Sequence, residues 1–188
     1  MTSSITSNQS ELVFKLNRII PNCYFTGSFA LSVLNMISRP INGIDICVPL
    51  EHKKRTLYIL NTLKIQYKEV KENCFMVLNT IRANMMFTTG TTSADHIVGY
   101  NQYYYTCNIN RSKVNIFFTE EENTYPIKYK GVNIKISNPK HTIDADHNYC
   151  YNRYVHHNKV SVFESDIESC HENRKKWQRI VKINQIYL

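Results

Sequence analysis

The amino-acid sequence predicts an α+β domain, a mixed β-sheet flanked by helices and followed by C-terminal helices. Three observations predict it. Helical and strand-like periods alternate through the first third of the chain; several β-prone runs then follow with no helix between them; helical spacing returns in the last third. A chain of 188 residues can bury one core without disulfides or metal staples.

Residues 1–9 are polar and read as a flexible N-terminus. Ser10 reads as an N-cap with Glu11 in the first turn, and Leu12, Leu16, Ile19 and Ile20 mark a helical face that Pro21 ends. Residues 23–26 form a short strand, Gly27-Ser28 a turn, and 29–37 a helix with Ala30, Leu31, Leu34 and Ile37 inward. After a loop at 39–43, residues 44–48 form a strand closed by Pro49. Residues 51–65 read as a helix with Leu57, Leu60 and Leu63 inward and His52, Lys53, Lys54, Arg55 and Lys64 outward. Residues 75–79 alternate like a strand, 82–87 pair with it, and 88–95 make a turn-rich loop. Residues 97–109 are aromatic and β-prone, 114–118 a strong strand before the acidic run Glu120 to Glu122, and 132–136 another strand. Residues 139–154 suit a helix with Pro139 in its first turn, and 156–172 read as helical too. Trp177, Ile180 and Val181, set against Arg174, Lys175, Lys176, Arg179 and Lys182, give the tail an amphipathic basic pattern. The expected organisation is a domain over 10–170 and a basic helix over 171–188.

A formal net charge of +8 and a pI near 9.2 favour polyanionic partners, nucleic acid first. The abundance of Asn, Ile, Lys and Tyr matches coding from an AT-rich genome. The six cysteines are widely spaced and include no CxxC pair, which points to thiols in a reducing compartment, cytoplasm or nucleus. No signal-like segment and no membrane-length apolar run is present, so no membrane association is expected.

Chemistry concentrates in Thr26-Gly27-Ser28-Phe29-Ala30-Leu31 and in Gly43-Ile44-Asp45-Ile46-Cys47-Val48-Pro49. A strand runs into a Gly-Ser turn that opens a helix, and the next strand carries a carboxylate. Together with the later strand Lys113-Val114-Asn115-Ile116-Phe117-Phe118 and the segment 132–154, this layout resembles the minimal nucleotidyltransferase fold of the DNA polymerase β superfamily, over residues 12–167. In that family the second strand bears Asp-hydrophobic-Asp and a later neighbouring strand bears a third Asp. Residues two apart on a strand share a face, so the acids grip one pair of divalent ions that align the attacking oxygen and the leaving pyrophosphate. Glycine lets the backbone approach the phosphates.

Carried onto this chain, the resemblance assigns the turn to Gly27 and Ser28 and the second carboxylate to Asp45. The first would fall at Gly43 and the third at Asn115. The alternative register takes Asp45 as first and Cys47 as second, and a thiolate is a poor ligand for magnesium. Either way at most one acid of the triad remains. The resemblance therefore implies a catalytically degenerate protein, a pseudo-nucleotidyltransferase kept for nucleotide or nucleic-acid binding or as a scaffold. No resident cofactor is expected; Mg²⁺ and a nucleoside triphosphate are the ligands the resemblance offers, with Asp45 as the metal-binding position. Arg153 is a nucleotide-contacting position by the same likeness. Two alternatives stand beside this reading: an active metal-dependent transferase with rearranged ligands, Asp45 and Asn115 among them, and a basic nucleic-acid-binding or structural module without nucleotide chemistry.

Other groupings read as structural. His141, His147, Cys150, His156, His157, Cys170 and His171 match no zinc-finger spacing. Asp144 and Asp146 complement a helix dipole. Tyr100, Tyr103, Tyr104 and Tyr105 put at least one ring on the outer face of a strand, where it could stack a base.

Overall fold

A computed structural model describes residues 5–35, 40–77, 97–120 and 124–138. Their order is α1 (Ser7–Ile19), β1 (Tyr24–Thr26), α2 (Gly27–Val33), β2 (Gly43–Pro49), a 3₁₀ turn (Leu50–His52), α3 (Lys53–Thr62), β3 (Tyr67–Val77), β4 (Ile97–Ile109), β5 (Ser112–Thr119), β6 (Thr124–Tyr129) and β7 (Val132–Ser137). The seven strands make one mixed sheet in the order β3-β4-β5-β2-β1-β7-β6. β2 runs parallel to β5 and β1 parallel to β7, while the other pairs are antiparallel. This is the expected α+β fold.

Strand alternation explains which side the helices take. Ile44, Ile46 and Val48 of β2, Val114 and Ile116 of β5, Phe25 of β1, and Ile134 and Ile136 of β7 are buried in one cluster. Leu12, Val13 and Leu16 of α1, Phe29 and Ala30 of α2, and Leu60 of α3 complete that cluster, so all three helices share one side. Phe29 stands edge-on to Tyr129 at 5.5 Å between ring centroids and also packs on Phe25 at 5.2 Å. The opposite side carries the other parity: Thr26, Asp45, Cys47, Lys113 and Asn115.

Several boundaries differ from the sequence expectation. The first helix starts at Ser7, not after Ser10: Thr6 caps it, and Thr6 and Gln9 form a reciprocal capping box. Ser10 is instead buried inside the helix, where Lys130 Nζ donates to its Oγ at 2.8 Å and Tyr129 Oη lies 2.9 Å away. α2 ends at Val33 with Leu34 as C-cap, shorter than the 29–37 expected. Leu63 follows the end of α3 and is exposed, because the core-facing positions are Thr56 and Leu60. The third strand begins at Tyr67, eight residues before the stretch that its apolar end announces. β6 was not expected at all. It contains Pro126, which the sheet tolerates because β6 is an edge strand. The expected elements at 82–95 and from 139 onward, including the helix at 171–188, lie outside the described residues.

Candidate functional site

The site is assembled by register. β1 places Thr26 opposite Asp45, and β5 places Asn115 beside Asp45 in the parallel pair. Because β1 ends at Thr26, the Gly27-Ser28 turn begins directly over the carboxylate. Gly27 has φ +60°, and a Cβ there would lie 2.6 Å from Asp45 Oδ2. Glycine is thus needed twice at this position, for the left-handed backbone and for the space that the carboxylate fills.

Asn115 Nδ2 donates to Asp45 Oδ1 at 2.8 Å. Asn115 Oδ1 is buried and has no hydrogen-bond partner among the described residues. Burial raises the Asp45 pKa; the Asn115 hydrogen bond and the Lys113 charge pull it down but do not cancel the effect. On the flank, Ser137 Oγ donates to Thr26 Oγ1 at 3.0 Å, so the end of β7 is tied to the same polar patch.

Of the positions singled out from sequence, Gly27, Asp45 and Asn115 therefore meet, with Ser28 next to Gly27 as the second residue of α2. Ser28 does not cap that helix; Thr26 occupies the N-cap position. Cys47 lies two residues beyond Asp45 on the same face, and burial pushes its pKa up to about 12, which keeps the thiol protonated. Arg153 lies outside the described residues, as do the C-terminal histidines and cysteines. Thr26, Ser137 and Lys113 join the site although the sequence gives them no site role of their own. Lys113 had a legible signal, since it sits two residues before Asn115 and shares its face. Thr26 and Ser137 are joined only by strand order, which the sequence does not display.

Position 43 is more than a missing acid. A Cβ on Gly43 would lie 2.8 Å from the Lys113 carbonyl oxygen, so β2 and β5 approach as only glycine allows. The donors at this site among the described residues do not fit a divalent pair. One oxygen of the single carboxylate already accepts from Asn115, the other fills the space under Gly27, and burial disfavours its ionised form. Among the described residues no group of three or more His, Cys, Asp and Glu side chains could hold a metal ion. No helix among them is long and apolar enough to cross a membrane.

No family model and no curated protein matches the chain. Solved structures do. The Megavirus polyadenylate synthase is 13% identical with a TM-score of 0.50, aligned over 96% of this chain and 34% of its own length. This chain thus spans about a third of that viral protein. A candidate nucleotidyltransferase of Thermotoga maritima is likewise 13% identical with a TM-score of 0.50, over 86% of this chain and 91% of its own. At such identity the likeness speaks for architecture alone: the chain has the nucleotidyltransferase fold.

Proposed function

We propose that this chain is a nucleotidyltransferase-fold protein that has lost two-metal transfer chemistry and binds nucleotide or nucleic acid. The observation that supports this most is the Asp45–Asn115 hydrogen bond, which occupies the remaining carboxylate with an amide where the fold's chemistry needs further acids. The crowding at Gly43 supports it too, because the missing side chain cannot be added without moving backbone. Binding then falls to the chain's own polar groups. Lys113 places a cation on the same face for phosphate oxygens. The overall charge of +8 favours a polyanion.

Calorimetric titration with a nucleoside triphosphate tests the reading, run with Mg²⁺, with Mn²⁺ and with chelator, beside Asp45→Ala. The expected result is binding that chelator does not abolish. Binding that requires the metal and disappears in Asp45→Ala favours instead an active transferase with rearranged ligands.

A further inference from the structure

The helix side of the sheet, away from Asp45, carries two groups of exposed basic and aromatic side chains, one on α3 and one on β3 and β4. Tyr58 of α3 is 71% exposed, more than any other large hydrophobic side chain among the described residues. Lys54 and Arg55, also exposed, precede it by four and three residues, which sets all three side chains on one strip of the helix. No acid lies within α3, and Glu51 in the turn before it is the acid nearest this strip. Tyr103 of β4 is 55% exposed, and Lys71 Nζ of β3 lies 5.7 Å from its ring centroid. Tyr103 and Tyr105 are two apart and share a face, and Lys53 Nζ of α3 stands 5.1 Å over the Tyr105 ring. Both exposed tyrosines thus belong to the side of the sheet that α3 covers. Glu69, paired with Tyr105, is the acid on this side of β3; Glu72 is on the other, where Tyr104 Oη donates to it at 2.6 Å.

We propose that these two groups on the helix side of the sheet bind one single-stranded nucleic acid, with Lys54, Arg55 and Lys71 on phosphates and Tyr58 and Tyr103 stacking bases. The inference rests on the nucleic-acid half of the proposed function and adds the surface. Charge complementarity selects a polyanion, since the four cations Lys53, Lys54, Arg55 and Lys71 outnumber the two acids Glu51 and Glu69. The two solvent-facing rings select bases over other polyanions, because every base offers a π-face while heparin or polyphosphate offers none. A duplex hides those faces in its stack, so the single strand is the matching form.

The test is fluorescence anisotropy of a labelled oligothymidylate with the full chain over a salt series. Tyr58→Ala and Tyr103→Ala are each expected to weaken binding about ten-fold. Arg55→Ser should weaken it and reduce the slope of log K against log salt by about 0.7. Lys128→Ser, exposed on the edge strand β6 at the far end of the sheet, should leave affinity within about two-fold and serves as the control. Unchanged binding in the α3 and β4 variants overturns the surface while leaving a nucleic-acid partner in place. Absence of binding in the wild type overturns the surface and the nucleic-acid reading together. Polyphosphate competing as well as the oligonucleotide, with both tyrosine variants unaffected, overturns base stacking.

Discussion

Asn115 donates through Nδ2 to Asp45 Oδ1 at 2.8 Å, joining two adjacent parallel strands at the centre of the sheet. The bond satisfies a carboxylate that the sheet half-buries and that Lys113 compensates only in part. Asn115→Ala should therefore cost about 1–3 kcal/mol of stability, the range for losing a hydrogen bond to a buried acidic group. Urea denaturation of the variant beside wild type checks this, and an unchanged midpoint would mean that the contact contributes nothing.

Burial raises the Asp45 pKa above its ordinary 3.8, and this fixes the sign of a pH dependence. Between 3.8 and the raised value the folded state binds more protons than the unfolded state. The contribution of Asp45 to stability therefore falls as pH rises through that window and is least favourable above it. Asp45→Asn removes the titration. The unfolding free energy of Asp45→Asn relative to wild type should climb with pH across the window and then level off. Denaturant melts across a pH series measure that difference; a flat difference would place the Asp45 pKa at its unfolded value.

Two glycines set the shape of the site. Gly27→Ala meets both a positive φ and an oxygen of Asp45, and is expected to cost about 1–3 kcal/mol. Gly43→Ala meets the Lys113 carbonyl and should cost a similar amount, about 1–3 kcal/mol. Thermal melts test both. The same crowding predicts that Gly43→Asp combined with Asn115→Asp lowers stability and does not create a working metal pair.

Thiol reactivity follows from burial. The thiols of Cys23 and Cys47 are pushed up to about 12, and that of Cys107 to about 11, in each case chiefly by desolvation. At neutral pH these three should alkylate with iodoacetamide roughly 100-fold slower, or more, than in the unfolded chain. Site-resolved mass spectrometry with and without guanidinium reads the ratio for each cysteine.

Much of this architecture was legible in the sequence because its strands alternate cleanly. Ile44, Ile46 and Val48 announce a buried face, and the same parity puts Asp45 on the other. The Gly-Ser turn and Asp45 could be placed on neighbouring elements for that reason, and Asn115 followed from Val114 and Ile116. What stayed hidden lacks a local signal. β3 opens on charged residues such as Lys68, Glu69 and Lys71, and its strand state comes from pairing with β4. β6 holds a proline that argues against a strand unless its edge position is known. The bury-and-bond role of Ser10 depends on Tyr129 and Lys130, more than a hundred residues away in the chain. The closeness of Gly43 to Lys113 is a property of strand packing that one strand cannot show.

Transfer of labelled nucleotide tests most directly whether the Asp45 face works as a metal-dependent centre. The purified chain is incubated with labelled nucleoside triphosphates, Mg²⁺ or Mn²⁺ and polynucleotide acceptors, in parallel with Asp45→Ala. The account predicts incorporation no higher than in Asp45→Ala under either metal. Metal-dependent incorporation by wild type that Asp45→Ala abolishes would contradict it.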